Sequence, residues 1–356
     1  MATRGEIELF TSAGAAAALA QVPQYDPGVI VTRTPLRVSF AGGGTDLPEF
    51  YNLEEGAVLS TAIDKYVYVT VKRHSELFLE PVRINYSTTE QVNQISEIRN
   101  DIARECLRFL EIEPPIYVST VADVPASTGL GGSSAFAVGL LHALHSLRGE
   151  RVSAAQLAEE ATHIEIDVLQ QPIGKQDQYA AAFGGLNLFC FGASGVTVQP
   201  QHIAKRKLDA LFDSVLMFWT GRSRDASTVL EDQRRNTVSK RDCLVQMRQH
   251  ARRLERMMAN GAIDAADFGA VLHESWAMKR SLSKRISTGK IDQWYQVARE
   301  AGAEGGKICG AGGGGFLLLI VKPENKGAVR RALAGLMEMP IRPEVHGSRV
   351  IVGTAH

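Results

Sequence analysis

Apolar and polar residues alternate, with many β-branched side chains, along Val29–Phe40, Tyr66–Val71 and Ile116–Val121, and this pattern predicts strands. The span from Val58 to Arg73 holds two β-type runs, and Phe78–Tyr86, interrupted by Pro81, reads as an edge strand or hairpin arm. A helical spacing of Ile95, Ile98, Ile102, Cys106, Phe109 and Leu110 predicts a helix over Gln91–Glu111 that stops before Pro114-Pro115. Ser153 caps a second helical pattern that runs to Leu169 and carries Glu165, and Gly185–Phe191 reads as the strand closing this half. The second half opens with a strand over Asp213–Trp219. Helical patterns follow at Ala226–Asn260, Ala262–Leu282 and Ile291–Ala301, then a strand at 316–321, a helix at 324–337 and strands at 341–346 and 348–353. The alternation predicts an α+β chain whose second half has an antiparallel sheet. It divides into an extension (1–28), an N-terminal lobe (29–210) and a C-terminal lobe (211–356).

Composition narrows the function classes. The 356 residues suffice for roughly two domains. Lys plus Arg equals Asp plus Glu, 39 each, so no net field draws the chain to nucleic acid or an anionic membrane. No apolar run approaches the ~20 residues of a membrane span. Glu6 and Glu8 stand where a secretory signal carries positive charge. Cys106, Cys190, Cys243 and Cys309 are scattered without C-x-x-C spacing, as in a reduced, cytoplasmic protein without structural zinc.

The chemistry concentrates in three loops. Asp123–Phe136 follows the Ile116 strand, is rich in glycine (Gly129, Leu130, Gly131, Gly132, Ser133, Ser134) and runs into a helical pattern. Glycines let backbone N–H groups approach an anion, and a helix start adds unpaired donors, so the stretch reads as a phosphate cradle. It also reads as a serine-capped helix after a flexible turn. The Val29 strand delivers Arg37 and breaks into Gly42-Gly43-Gly44-Thr45-Asp46, either a ligand-approaching loop ending in a carboxylate or a turn with an Asp cap. In Gly174-Lys175-Gln176-Asp177, Asp177 reads as a functional carboxylate or as a helix cap. No G-x-x-x-x-G-K-[ST] occurs, which excludes a P-loop NTPase. Gly310–Gly315 matches G-x-G-x-x-G but leads into a strand, whereas a dinucleotide fingerprint opens a helix.

Three stretches in chain order, the Arg37 strand with its loop to Asp46, the Pro125–Ala135 loop and Lys307–Phe316, together resemble the three motifs of the GHMP kinases, over essentially everything from residue 30 onward. Arg33–Pro48, Gly174–Tyr179 with Gly184-Gly185, and Gly305–Gly312 are similar to the sugar anomeric-kinase branch, nearest to its heptose 7-phosphate kinases. The resemblance implies an N-terminal lobe like domain 2 of ribosomal protein S5 and a ferredoxin-like C-terminal lobe, with the site between them. It implies ATP and Mg²⁺ as cofactors and transfer of the γ-phosphoryl to an anomeric hydroxyl. The loop amides at Gly129–Ser134 would hold the ATP phosphates. By the same resemblance Asp177 is the catalytic aspartate, with Arg37 beside it, and Glu165 with Ser133 holds Mg²⁺. The loop reads Gly-Leu-Gly-Gly-Ser-Ser-Ala rather than Gly-Leu-Gly-Ser-Ser-Ala, which leaves Ser134 as the alternative metal ligand.

Substrate contacts are expected from Gly43, Gly44, Thr45, Asp46, Lys175, Gln176, Gly312 and Gly313, and from the Thr220-Gly221 turn. An acceptor already bearing phosphate requires basic residues. Arg222 and Arg224 are the first choice, with Lys279 and Lys284 next. A kinase for fucose, galactose or an N-acetylhexosamine, or a catalytically idle sugar or nucleotide sensor on the same fold, shares the motifs. The expected partners are a sugar phosphate and ATP, with no nucleic acid and no membrane, and a homo-oligomer is compatible with the sequence.

Overall fold

The computed structural model describes residues 28–353 apart from 76, 224–226, 238 and 262. The first lobe begins with β1 (Val29–Ala41), α1 (Pro48–Tyr51), β2 (Gly56–Arg73), β3 (Val82–Asn85), β4 (Thr89–Val92), α2 (Asp101–Phe109) and β5 (Ile116–Ala122). It continues through α3 (Gly132–Leu147), α4 (Ala154–Thr162), α5 (Gln176–Phe183), β6 (Leu186–Gly192), β7 (Gly195–Pro200) and α6 (Lys205–Asp213). The second lobe holds β8 (Val215–Trp219), α7 (Ser227–Asn236), α8 (Arg241–Ala259), α9 (Ala265–Leu282), α10 (Gly289–Glu300), β9 (Ala303–Ile308), β10 (Phe316–Val321), α11 (Lys326–Ala332) and β11 (Met337–Glu338). A last strand, β12 (Arg349–Val352), follows.

Strand order explains both halves. The second sheet runs β11-β8-β10-β9, all antiparallel, which is the order of a ferredoxin-like lobe in which the outer strands are last and second in sequence. The first runs β12-β1-β2-β5-β3-β4, with β6 and β7 attached along the first half of β2. Only β3 and β5 pair in parallel within it among the described residues. Thus β12, from the span expected as the second lobe, completes the first sheet against β1, with all four of its residues exposed. Backbone bonds seat the tail that leads to it: Glu344 N–H donates to Ala62 O at 3.0 Å and Ser348 N–H to Ala181 O at 3.0 Å.

Burial along β1 alternates at first, then becomes continuous from Thr34 to Ala41. That second half is covered on both faces, because α8 and α9 pack on β1 and β2 from the other lobe. Phe40 meets Phe268 edge-on at 5.1 Å across this junction, and both are buried. Burying a side chain of this size stabilises by about 1.5–3 kcal/mol. One apolar core therefore runs through both lobes and holds the Arg37 end of β1 fixed.

Several expected boundaries move. The helix expected over Gln91–Glu111 starts only at Asp101, because Asn100 caps it (Oδ1 accepting from Ala103 N–H at 2.9 Å) and buried Glu90 takes the N–H groups of Arg99 and Asn100. Phe78–Tyr86 contributes β3, which lies inside the sheet between β5 and β4. The long pattern from Ala226 divides into α7 and α8 at a turn where Thr237 Oγ1 donates back to Gln233 O at 2.9 Å. The expected strand over 341–346 is a single bridge between Ile63 and Pro343. Ser153 caps α4 as its sequence position suggests, but α4 passes into a π-helical turn, His163–Val168, that carries Glu165. The 1–28 extension lies, up to residue 27, outside the described residues.

Candidate active site

A cavity of about 830 Å³ lies between the lobes. At its waist the Arg37 guanidinium forks onto Asp177: Nε donates to Oδ1 and Nη2 to Oδ2, each at 2.7 Å. Its Nη1 donates to Gly129 O, also at 2.7 Å, and the Arg37 N–H donates to Leu130 O at 3.1 Å. Arg37 is almost fully covered, while the Asp177 side chain keeps 24% exposure toward the cavity. Asp177 lies within the first turn of α5, whose cap position is Lys175, so its carboxylate is not consumed in capping.

The serine-cap reading of the loop before α3 does not hold. The cap of α3 is Gly131, in left-handed backbone at φ 78°, and no side chain bonds the helix's first amides. Gly129, Gly131, Gly132, Ser133 and Ser134 line the cavity. An uncapped helix start aimed at a cleft is a site for an anion. The second glycine loop has a different reason for its composition. A Cβ on Gly310 would sit 2.5 Å from Gly129 Cα, and one on Gly315 2.4 Å from Thr128 O. The two loops thus pack backbone against backbone, and glycine is what lets the lobes close to this distance.

Glu165 stands one layer behind the wall, with no exposure. Gln178 Nε2 donates to its Oε2 at 2.6 Å, whereas Oε1 has no partner. Burial pushes its carboxyl up to about 7, against the opposing pull of the nearby Ser134 and Gln178 side chains. The Ser134 hydroxyl is also buried and without a hydrogen bond, while Ser133 is exposed at the cavity wall. A carboxylate oxygen with an open bond beneath serine hydroxyls is an oxygen donor set of the kind Mg²⁺ takes. Among the described residues no group of three acidic, His or Cys side chains could hold a metal, so phosphate oxygens would have to complete such a site.

The cavity has a polar region around Asp46. Buried Asp46 accepts from Gly44 N–H at 2.8 Å and from Gln176 Nε2 at 2.9 Å. Burial raises its pKa, opposed by the Gly44 bond, and the Asp177 charge adds to the rise. Gly43, Gly44, Gln176, Leu230 and Gln233 surround it. The opposite end is walled by Val67, Ile102, Val124 and Phe136, edged by Tyr86, Ser87, Asn100 and Asp101. There the buried Thr120 hydroxyl lacks a partner.

Among the described residues, the other expected substrate contacts do not line the cavity, Lys279 apart. Thr45 spends its hydroxyl on Gly42 O (2.8 Å) and Ala57 O, inside its own loop. Thr220 donates to Gly315 O at 2.7 Å. A Cβ on Gly312 would lie 2.6 Å from Ile286 O, and Gly313 N–H donates to that carbonyl at 2.7 Å, so both shape the loop. The Lys175 ammonium sits 5.4 Å over the Tyr51 ring, and the Leu130 side chain lies in the core. Gly221 and Arg222 are exposed outside the cavity wall, with Arg222 O accepting from Gly315 N–H. Lys284 is exposed, and Arg224 lies outside the described residues. Of the basic candidates Lys279 does line the cavity, joined by Leu230 and Gln233, which the sequence reading did not single out. For Lys279 the sequence held a signal: it falls in the apolar stripe Phe268, Leu272, Ser275, Trp276 of α9, where a solvated lysine does not belong.

Residues 96–185 match the model of the GHMP kinases N terminal domain and residues 254–338 that of the GHMP kinases C terminal domain. A D-glycero-alpha-D-manno-heptose 7-phosphate kinase from Campylobacter jejuni is 30% identical over 320 residues, spanning 85% of this chain and 93% of that protein. The chain is a GHMP kinase. The galactokinase of Pyrococcus furiosus is 25% identical over 85% of this chain and 92% of its own length. The crystal structure of a D-glycero-D-manno-heptose 1-phosphate kinase from B. thetaiotaomicron superposes with a TM-score of 0.73 and 26% identity, covering 92% of this chain and all of the other. As a GHMP sugar kinase the chain is a phosphotransferase with an alcohol acceptor. Among its described residues no helix is long and apolar enough to cross a membrane.

Proposed function

We propose that this kinase transfers the γ-phosphoryl group of ATP to the anomeric hydroxyl of a sugar phosphate, D-glycero-D-manno-heptose 7-phosphate by its likeness to the Campylobacter enzyme. The observation that carries the reading is the Arg37–Asp177 fork at the waist of the cavity, between the uncapped start of α3 and the Asp46–Gln176 pocket. The base of ATP would enter the apolar end, where the Thr120 hydroxyl awaits a partner, and its phosphates would meet the amides of Gly132–Ser134. Gln176, Gln233 and Asp46 offer donors and an acceptor for sugar hydroxyls.

Asp177 is exposed on the side where an acceptor hydroxyl would lie. It takes the proton as the hydroxyl oxygen forms its bond to phosphorus and the bond to the β-phosphate oxygen breaks. An anomeric hydroxyl is more acidic than an ordinary alcohol, which lowers the demand on this base. Arg37 fixes the carboxylate and, through Gly129 O, the loop that receives the phosphates. Mg²⁺, held by Glu165 Oε1 and Ser133, would supply charge neutralisation at the β- and γ-phosphates.

The test is a radiolabelled-ATP assay with heptose 7-phosphate, mannose, fucose and galactose, repeated with Asp177→Asn. We expect turnover of the heptose phosphate above the free sugars, and at least a ~10²-fold loss of kcat in the variant with ATP binding kept. Equal use of the free sugars, or normal turnover by the variant, would overturn the reading.

A further inference from the structure

Two buried lysines in the second lobe take no part in the chemistry derived so far. Lys279, in the last turn of α9, is 7% exposed and lines the cavity opposite Asp46. Lys307, in β9, is 4% exposed. The two lie together with Gly42, Gly43, Met247, Ser275 and Trp276 around one packed junction. Neither is ion-paired among the described residues: Lys307 Nζ donates to Ser39 O at 2.7 Å, and Lys279 Nζ donates to Gly310 O. Among the described residues that line the cavity the other cation is Arg37, which Asp177 occupies. Burying an ammonium against a carbonyl alone is costly unless a counter-charge arrives. The place left for one is the cavity, where a primary ammonium still has donors to offer after its bond to Gly310.

We propose that Lys279 is a phosphoryl-binding residue of the acceptor end, with Lys307 behind it adding to the positive field. The proposal rests on the phosphotransfer reading above. A phosphoryl dianion can reach Lys279 from two sources, the phosphate already carried by the acceptor or the γ-phosphate of the nucleotide. Burial and the neighbouring charges accord with a group waiting for an anion. Burial, then the Arg37 charge, brings Lys279 down to about 8, and burial, then the Lys279 charge, brings Lys307 down to about 7. A bound dianion would reverse both displacements and draw in protons.

The variant that separates charge from structure is Lys279→Gln, whose amide can still donate to Gly310 O. Binding is measured by calorimetry on the full chain in two ligand pairs, heptose 7-phosphate against the unphosphorylated heptose, and AMP-PNP against ADP. We expect Lys279→Gln to keep its Tm and to lose at least about 10-fold of the preference for the phosphorylated member of one pair. Lys279→Arg should restore that preference. Loss in the sugar pair names the acceptor phosphate as the ligand, and loss in the nucleotide pair names the γ-phosphate. Proton uptake on binding, read from two buffers of different ionisation enthalpy near pH 8, should shrink in Lys279→Gln. A purely structural lysine would not change that quantity. Unchanged preference in both pairs would overturn the proposal. Absence of turnover with heptose 7-phosphate in the wild type would overturn the acceptor assignment alone, since the nucleotide pair still reads Lys279.

Discussion

Arg37 reaches both carboxylate oxygens of Asp177 from a strand 140 residues earlier in the chain, with two bonds of equal length. The fork needs a planar guanidinium, and the third nitrogen of the same group ties the pair to the carbonyl of Gly129. Carboxylate position and phosphate-loop position are therefore one mechanical unit.

Arg37→Lys keeps the charge and loses the fork. It should lower kcat by about 10²-fold, the scale of a mispositioned acid–base group, and raise KM for ATP as the Gly129 carbonyl loses its donor. Steady-state kinetics with both substrates checks this. A kcat near that of the wild type would show that charge alone is required.

Glu165 links metal use to stability. Its carboxyl titrates near 7 in the folded chain against 4.5 as a free group, because burial disfavours the charged form. Between those values the folded state binds the extra proton, so stability falls as pH rises from about 4.5 to about 7 and the cost persists above. The gap corresponds to roughly 3 kcal/mol as an upper bound. Glu165→Gln lacks that cost. Without divalent cation it should be at least as stable as the wild type at about pH 8. With Mg²⁺ and nucleotide the wild type should gain the advantage, and the variant should need more Mg²⁺ at fixed ATP. Thermal melts at several pH values with and without Mg²⁺ test both arms. A variant that is less stable throughout, with an unchanged Mg²⁺ titration, would make Glu165 a structural carboxylate.

The glycines should separate into two kinds. Gly310→Ala places a Cβ 2.5 Å from Gly129 Cα and must push the lobes apart, which predicts a lowered Tm and a kcat reduced by about 10-fold or more. Gly132→Ala meets nothing within 4 Å and lies in the first turn of α3, so Tm should hold or rise slightly. Any loss in Gly132→Ala should appear as weaker ATP binding, because the space next to this residue is cavity. Comparable melting losses in both variants would refute the distinction.

The parts of the site legible in the sequence are those whose residue types are unusual for their local setting. A glycine run before a helix with no capping residue, an arginine in the far half of a β-branched strand and an aspartate among amides are such cases. Thr45 sits in the first glycine loop yet spends its hydroxyl inside it, and Thr220 spends its own on Gly315 O, because sequence position fixes backbone shape and not side-chain direction. Gln233 belongs to a helix with no motif, and only the packing of α7 against the Gly42–Gly44 loop brings it to the cavity, whereas Lys279, second choice among the basic residues, is marked by its place on the buried face of α9. The fold divides likewise. Strands with long β-branched runs are plain from periodicity, whereas α6, β7 and the two-residue β11 are too short or too polar to announce themselves. The Ile95–Ile98–Ile102 spacing mimics a helix that Glu90 and Asn100 interrupt by taking backbone donors.

The return of residues 349–352 to β1 makes the first lobe a discontinuous folding unit. During synthesis its sheet lacks one edge until the whole second lobe has left the ribosome, and β1, which carries Arg37, keeps unpaired backbone groups along that edge meanwhile. The second lobe is in turn sewn to the first at both of its ends, so opening of the cleft is bounded by two tethers rather than one hinge. A nascent chain held short of residue 349 would carry every side chain proposed for catalysis and still lack the strand that closes the sheet holding Arg37.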